Sequence, residues 1–269
     1  MALRPETLHK PKHLDPIRFR GHRGGIIPMH RALNRLQLVP LNIVTSVLTF
    51  VCISALWITL LPVVCRFWTQ VFSFALSRLA LHAVLELPRY RFKFLQFYVP
   101  CLRMDPTFPS VRMWSLNCAI TVLLFGITFL LPRSWVPVVY LGRTILLVHA
   151  SALAYFALRP ASFPHTPNSY IEGLITALLG LISVIPLLFA LTYYIFDFGL
   201  AKKIGLTTIA MLHLVMFVPL QVLVHALVLQ KSLLFMPVLY IIFGLPVDIL
   251  VVIAFYSWGM TWPFRHGAS

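Results

Sequence analysis

Long apolar segments separated by short polar connections run through most of the chain and predict a helical membrane bundle. The clearest is residues 41–62, whose 22 residues carry no charge and suffice to cross roughly 30 Å of hydrocarbon as a helix. The later apolar segments are residues 114–131, 144–158, 171–196, 205–229 and 232–256. Prolines inside several of them, such as Pro186 and Pro219, predict kinked helices whose freed carbonyl groups are satisfied by neighbouring helices.

A second crossing is predicted at residues 69–88, where Arg78, His82 and Glu86 interrupt the apolar pattern. Their spacing of four residues places the three side chains on one stripe of a helix, facing other helices or water. Such a stripe is either a polar seam, in which the three side chains satisfy one another, or the lining of a transport path. Both interpretations stay open at this point.

The connection at residues 89–112 is too polar to lie in hydrocarbon, and its charge predicts the topology. It holds five basic residues and one of the chain's seven acids, Asp105, while residues 1–39 hold eight basic residues. Basic connections favour the inner side of a membrane. We therefore predict six spans with both termini inside and residues 89–112 on the side of the N-terminal tail. Residues 144–158 are then interfacial or re-entrant; if they cross, the count is seven.

The predicted fold class is an all-α polytopic membrane bundle. Residues 1–39 form a basic tail and lead-in helix, residues 40–260 the transmembrane bundle and residues 261–269 a short tail. Composition agrees, because 59% of the residues are hydrophobic and 11% charged, against about 45–50% and about 25% in soluble domains. The net charge of +15 lies beside apolar segments, which indicates contact with anionic lipids rather than nucleic acid.

Candidate chemistry is sparse, and no enzyme activity is predicted. The chain has no phosphate-binding glycine loop, no H-E-x-x-H and no G-x-S-x-G motif. Its four cysteines lack C-x-x-C spacing and are expected to be small buried residues. His213 and His225 are 12 residues apart, roughly 120° from a common helix face, which argues against a pair of haem ligands. We predict no cofactor, with a haem between His149 and either of them as the alternative.

Short segments in order along the chain share a pattern with one known family. They are His30 with Arg35 before the first span, FYVPCLRMD at 97–105, SVIPLLFAL at 183–191, LAKKIG at 200–205 and SLLFMPVLYIIF at 232–243. Together with six predicted spans in 269 residues, both termini inside and a basic connection after the second span, these segments resemble TatC, the multispanning receptor subunit of the twin-arginine protein translocase. The resemblance runs loosely from His30 to Tyr256.

The chain departs from the family where the family carries acids. Leu33 and Ile185 stand at positions where the family has acids, and Asp105 is not followed by the family's Glu and Arg. The connection predicted after the first span, residues 63–68, is also much shorter than in the family. Since carboxylates bind arginine pairs through charge-assisted hydrogen bonds, Asp105 is the acid that remains for this role.

The resemblance implies binding rather than catalysis. The inner face takes up the basic region of a client's signal peptide, and single-span partner subunits assemble in the membrane under the protonmotive force. The residues expected to contact signal peptide or partner are Asp105, Pro100, Arg103, Arg35 and Glu86. The acids Glu86, Glu172 and Asp248 are expected to contact partner helices inside the membrane.

Two other functions compete with the translocase. The stronger is a non-catalytic accessory subunit of a mitochondrial or bacterial respiratory-type complex. The weaker is a transporter, because no repeat relates the two halves of the chain. The basic, acid-poor composition suits the mitochondrial or bacterial inner membrane, and the reduced acidic motif favours the mitochondrial one.

Overall fold

The computed structural model describes residues 40–92, 95–193 and 199–261. The helices are α1 (Pro40–Arg78), α2 (Val111–Ile127), α3 (Val136–Leu158), α4 (Pro167–Tyr193), α5 (Leu200–Leu229), α6 (Met236–Phe243) and α7 (Leu245–Thr261). The strands are β1 (Val84–Glu86), β2 (Arg89–Phe92), β3 (Leu95–Tyr98) and β4 (Cys101–Arg103). Because α6 and α7 meet at Gly244, they form one interrupted rod.

The predicted helical membrane bundle is confirmed. Within the described residues, five stretches are long and apolar enough to cross a membrane: Leu41–Arg78, Val136–Leu158, Pro167–Tyr193, Leu200–Leu229 and Leu233–Gly259. Helix α2 is also apolar, and its 17 residues extend about 26 Å, close to the thickness of the hydrocarbon core. The protein is therefore an integral membrane protein.

Helices α4 and α5 lie side by side at the centre of the bundle. Each has a buried stripe that recurs about once a turn, as expected for a helix with one face against its neighbours. The stripes are Ile171, Ile175, Leu178, Ile182 and Ile185 on α4, and Ala210, Leu214, Val218, Val222 and Ala226 on α5. Helices α1 and α7 pack against both, whereas the α2–α3 hairpin joins the bundle mainly through α6.

Helix α1 is a single helix of 39 residues, about 58 Å long, which exceeds the thickness of the hydrocarbon core. Residues 63–68 contain neither glycine nor proline, so nothing in them ends the helix after Pro62. Trp68 and Phe72 are fully buried and hold the second half of α1 in the bundle. The prediction of a separate crossing at residues 69–88 is therefore wrong.

The polar stripe predicted at Arg78, His82 and Glu86 does not form. Helix α1 ends at Arg78, the chain turns, and Glu86 lies in β1. Strand β1 pairs with β4 and β2 with β3, both antiparallel, so this connection is a β structure in a mostly helical chain. The sequence of β2, RYRF, alternates basic and aromatic residues, and that period of two is the strand signal which the sequence analysis missed.

The rods run alternately up and down the bundle, with α6 and α7 counted as one. We name the end that contains Pro40 the tail end and the opposite end the far end. At the tail end, Lys203 near the start of α5 donates to Ser46 near the start of α1. Gly259 near the end of α7 lies against Leu206, also near the start of α5. Both ends of the described chain thus lie on one side, as predicted for six spans.

The connection between α1 and α2 lies at the far end. The Met104 amide donates to Asn168 Oδ1 at 2.8 Å at the start of α4, and the Leu233 amide donates to the Thr107 carbonyl at 2.9 Å just before α6. The prediction that residues 89–112 share a side with the N-terminal tail concerns residues 1–39, which lie outside the described residues. Within the described chain, the connection and Pro40 lie at opposite ends of α1.

Residues 144–158 also differ from the prediction. They belong to α3, which begins at Val136 and has 23 residues. That helix is long and apolar enough to span, so this segment is neither short nor re-entrant. The rod count stays at six, because the crossing lost at residues 69–88 is replaced by α3.

Candidate functional site

Four of the five residues predicted to contact a signal peptide or partner lie at the far end. Glu86 on β1 and Arg103 on β4 sit on paired strands, and Arg103 Nε donates to Glu86 Oε2 at 3.0 Å. Pro100 precedes β4 and is buried, whereas Asp105 follows β4 and is exposed. The fifth residue, Arg35, lies outside the described residues.

The Glu86–Arg103 ion pair is a surface interaction rather than an intramembrane one. The two side chains are 42% and 61% exposed, so solvent screens their attraction and the pair contributes less than about 1 kcal/mol. The prediction of Glu86 as an intramembrane acid is wrong, because the residue belongs to a strand beyond the end of α1.

Asp105 is held near the start of α4 by the residues that precede it. Leu102 and Met104 are buried, and the Met104 amide donates to Asn168 one residue into α4. Glu172, one turn further along α4, is exposed at the same end. Three of the four described carboxylates, including Glu86, therefore lie at the far end.

The same connection contains a buried thiol. Burial raises the pKa of Cys101 to about 11, with smaller contributions from the negative charges of Glu172 and Glu86. A thiol with this pKa is almost wholly protonated at neutral pH and is a poor nucleophile. Cys101 thus packs as a small apolar residue, as predicted, and Cys65 is buried as well. For Cys52, which is exposed, and Cys118, which is half-buried, the prediction of a buried position is wrong.

The start of the described chain and Asp105 lie at opposite ends of the bundle. Pro40, the first described residue after Arg35, begins α1, and α1 leads away from the tail end to the connection that carries Asp105. In the described part of the chain, no carboxylate lies at the tail end.

The tail end is instead marked by a buried lysine that the sequence analysis did not single out. Lys203 is fully buried, and its Nζ donates to Thr45 Oγ1 at 2.9 Å, to Ser46 Oγ at 3.1 Å and to the Asn42 carbonyl at 3.4 Å. These contacts fasten the start of α5 to the first turns of α1. The sequence did contain a signal for this contact, because a lysine just inside an apolar segment needs polar partners.

Inside the membrane-spanning part, Asp248 on α7 has a hydrogen-bond partner on α5 of the same chain. Gln221 on α5 donates from Nε2 to Asp248 Oδ2 at 2.8 Å, and both side chains are fully buried. The same Nε2 also donates to the Phe243 carbonyl. His225, one turn after Gln221, directs Nδ1 to the Gln221 carbonyl at 2.7 Å. Gln221 was missed, although it stands four residues before His225 in an apolar segment.

The break between α6 and α7 gives this cluster its shape. Gly244 ends α6, and a Cβ there would collide with the carbonyl of Tyr240. Phe243 is the last residue of α6, so its carbonyl has no donor one turn later in the same helix and accepts from Gln221 instead. Asp248 lies in the first turn of α7, where a carboxyl group is favoured by the helix dipole.

The other membrane histidines pack against aromatic rings. His149 on α3 stacks on Phe235 at 5.9 Å, and His213 on α5 lies between Phe217 and Phe255. Across the described ranges, no group of three His, Cys, Asp or Glu side chains is placed to hold a metal ion. No residues are therefore assigned to a metal or cofactor.

Comparison of the chain with protein family models, with curated protein sequences and with solved structures finds no match. The site is accordingly interpreted from its own residues. Its described parts are the β connection with Glu86 and Asp105 beside Glu172 of α4 at the far end, the Lys203 contact at the tail end, and the Gln221–Asp248 cluster between them.

Proposed function

We propose that the protein is the multispanning core subunit of a protein translocase that resembles TatC. The observation that carries the proposal is the order of the rods: six, with both described ends of the chain at one end and a long folded connection after the first. The resemblance implies six spans and a longer connection after the first of them. It also implies a basic connection with Asp105 after the second span, whereas Asp105 follows the first rod in the described chain. The short connection at residues 63–68, which spoke against the family, does not exist as a connection.

In this proposal, the protein binds partner and client segments and catalyses no reaction. Asp105, Pro100, Arg103 and Glu86 contact segments that reach the far end, and Arg35 acts at the tail end. Helix α2 provides an apolar surface for single-span partners, because Thr121 is its one buried residue. The membrane is the mitochondrial inner membrane or a bacterial inner membrane, and the protonmotive force drives transport.

Purification in mild detergent, followed by identification of bound proteins, tests the proposal. Small single-span subunits at a fixed ratio to this chain support it. Catalytic subunits of a respiratory complex in their place contradict it.

Photo-crosslinking distinguishes specific binding from general membrane contact. A photoreactive amino acid at Phe108, half-exposed at the far end, is expected to capture a partner or client segment. The same residue at Phe74, exposed on α1, serves as the matched control. Equal capture at both positions contradicts a specific surface at the far end.

An accessory subunit of a respiratory-type complex is the second candidate. The observation that favours it is the absence of carboxylates at the tail end of the described chain, since an arginine pair needs carboxylate partners. Under this alternative, Asp105→Asn leaves the set of bound proteins unchanged. Under the translocase proposal, Asp105→Asn reduces client capture at Phe108, whereas the control Lys231→Gln, at an exposed position of the same end, does not.

A further inference from the structure

The cluster around Asp248 has more hydrogen-bond acceptors than donors. The amide nitrogen of Gln221 has two hydrogens, and both are used, one on Asp248 Oδ2 and one on the Phe243 carbonyl. Asp248 Oδ1 and Gln221 Oε1 are buried and have no hydrogen-bond partner among the described residues. These two oxygens belong to groups that already touch through their other atoms.

His225 adds a third acceptor. Its Nδ1 lies 2.7 Å from the carbonyl of Gln221, so Nδ1 carries the hydrogen in the neutral ring. The other nitrogen, Nε2, is then a lone pair that is buried without a donor among the described residues, and the ring also interacts with the Leu239 backbone on α6. Unpaired acceptors are costly in hydrocarbon, and an ionised carboxylate is costlier still. What the cluster lacks is a donor.

We propose that Asp248 and Gln221 form an intramembrane proton-binding site, with the proton on Asp248 Oδ1 donating to Gln221 Oε1. One proton then satisfies both unpaired oxygens, removes the charge and closes a ring of two hydrogen bonds between carboxyl and amide. The proposed ligand is a proton held between two side chains, so the site needs no cavity. This inference is independent of the translocase proposal.

The site couples proton occupancy to the contact between α5 and α7. When the proton leaves, a carboxylate lies beside the Gln221 side-chain oxygen, and neither group has a donor for the other. That repulsion weakens the contact where the rod is already interrupted, at Gly244. Proton release therefore loosens α7 from α5, and proton uptake fastens it.

Other titratable groups surround the cluster and must be separated from Asp248 in any test. His213 on α5 interacts electrostatically with Asp248. The Tyr170 ring on α4 lies 5.7 Å from the ring of His225, and Tyr240 on α6 interacts with Tyr170. His225 is the main competitor, because its Nε2 is an alternative place for the proton.

Thermal unfolding in mild detergent across a pH series tests the site. The unfolding midpoint of the unaltered protein is expected to fall by roughly 3–10 °C as pH rises, because deprotonation is unfavourable in the folded state. Asp248→Asn keeps the size of the side chain, and its amide can make the same two hydrogen bonds. The unfolding midpoint of this variant is therefore expected not to fall as pH rises. His225→Asn keeps a donor for the Gln221 carbonyl without a titratable ring and is expected to retain the fall.

Infrared spectroscopy with isotope-labelled aspartate gives a direct measurement on the unaltered protein. The chain has four aspartates. A protonated carboxyl band at neutral pH is expected, lost in Asp248→Asn and kept in the control Asp105→Asn. Absence of the band overturns the proposal even where Asp248→Asn does not fold. A pH-dependent fall that survives Asp248→Asn, or is abolished by His225→Asn, also overturns it.

Discussion

Trp68 on α1 donates its indole N–H to the Val215 carbonyl on α5 at 2.8 Å. That carbonyl is four residues before Pro219, which has no N–H to offer it. A side chain from one helix thus supplies the hydrogen bond that a proline removes from another. The sequence predicted that neighbouring helices satisfy such carbonyls, and here the donor lies in the part of α1 that the sequence analysis assigned to a different span.

Trp68→Phe is expected to lower the free energy of unfolding by about 1–3 kcal/mol, because it leaves the Val215 carbonyl unsatisfied inside the bundle. Trp135→Phe, at an exposed position, is the control and is expected to have little effect. In a Pro219→Ala background, alanine supplies the missing N–H, so the cost of Trp68→Phe should shrink. Additive costs in this double-mutant cycle, measured by denaturation in detergent, contradict the account.

The Lys203 contact gives a second prediction. Lys203→Met keeps the length of the side chain but removes the amine that donates three hydrogen bonds to the first turns of α1. The free energy of unfolding is expected to fall by about 1–3 kcal/mol, since hydrogen bonds to a charged group are lost. Lys231→Met, at an exposed position, is the matched control and should change stability little. Equal effects of the two variants, measured by denaturation, speak against a structural role for Lys203.

Gly244 is the third point to test, because the break between α6 and α7 depends on the close approach of its backbone to Tyr240. Gly244→Ala forces this backbone apart and is expected to cost about 1–3 kcal/mol of stability. Gly180→Ala is the control. Nothing lies within 4 Å of a Cβ built at Gly180, and alanine favours the helix by up to about 1 kcal/mol. In thermal unfolding, Gly244→Ala is expected to lower the unfolding temperature and Gly180→Ala to raise it. A lower unfolding temperature for Gly180→Ala with no change for Gly244→Ala contradicts the account of the break.

The Cys101 thiol yields a prediction about pH. With its pKa raised to about 11, the thiolate at pH 8 is about 100-fold scarcer than for a thiol at the ordinary value of 9.0. In a variant that keeps only this cysteine, maleimide labelling of the folded protein should be slow and should accelerate as pH approaches 11. The stability gained from the neutral thiol is present below pH 9 and is lost as pH rises from 9 to 11. Glu86→Gln should change labelling little, since burial is the main cause, and fast labelling at pH 8 contradicts the buried position.

The helices could largely be predicted from the sequence, because apolar runs such as residues 171–196 and 205–229 are long and clearly bounded. The extent of α1 could not. Pro62 and the polar pair Thr69 and Gln70 stand between two apolar runs and suggest a turn. Only the packing of Trp68 between helices shows that the helix continues. The partner of Asp248 was equally hidden, because Gln221 is 27 residues away and reaches it through the packing of α5 on α7.

The predicted topology depended on the extent of α1. Charge counting placed the basic connection on the side of the tail because it assumed a crossing at residues 69–88. Once α1 is a single rod, the number of crossings before the connection changes from two to one. The side of the connection changes with it, although the total of six rods stays the same.

Cysteine labelling in sealed vesicles tests the central claim most directly. In a cysteine-free background, single cysteines at Asp105 and His165 are expected to react from one side of the membrane, and those at Lys12 and Leu130 from the other. Labelling of Asp105→Cys and Lys12→Cys from the same side contradicts the account, because α1 would then have to cross the membrane twice.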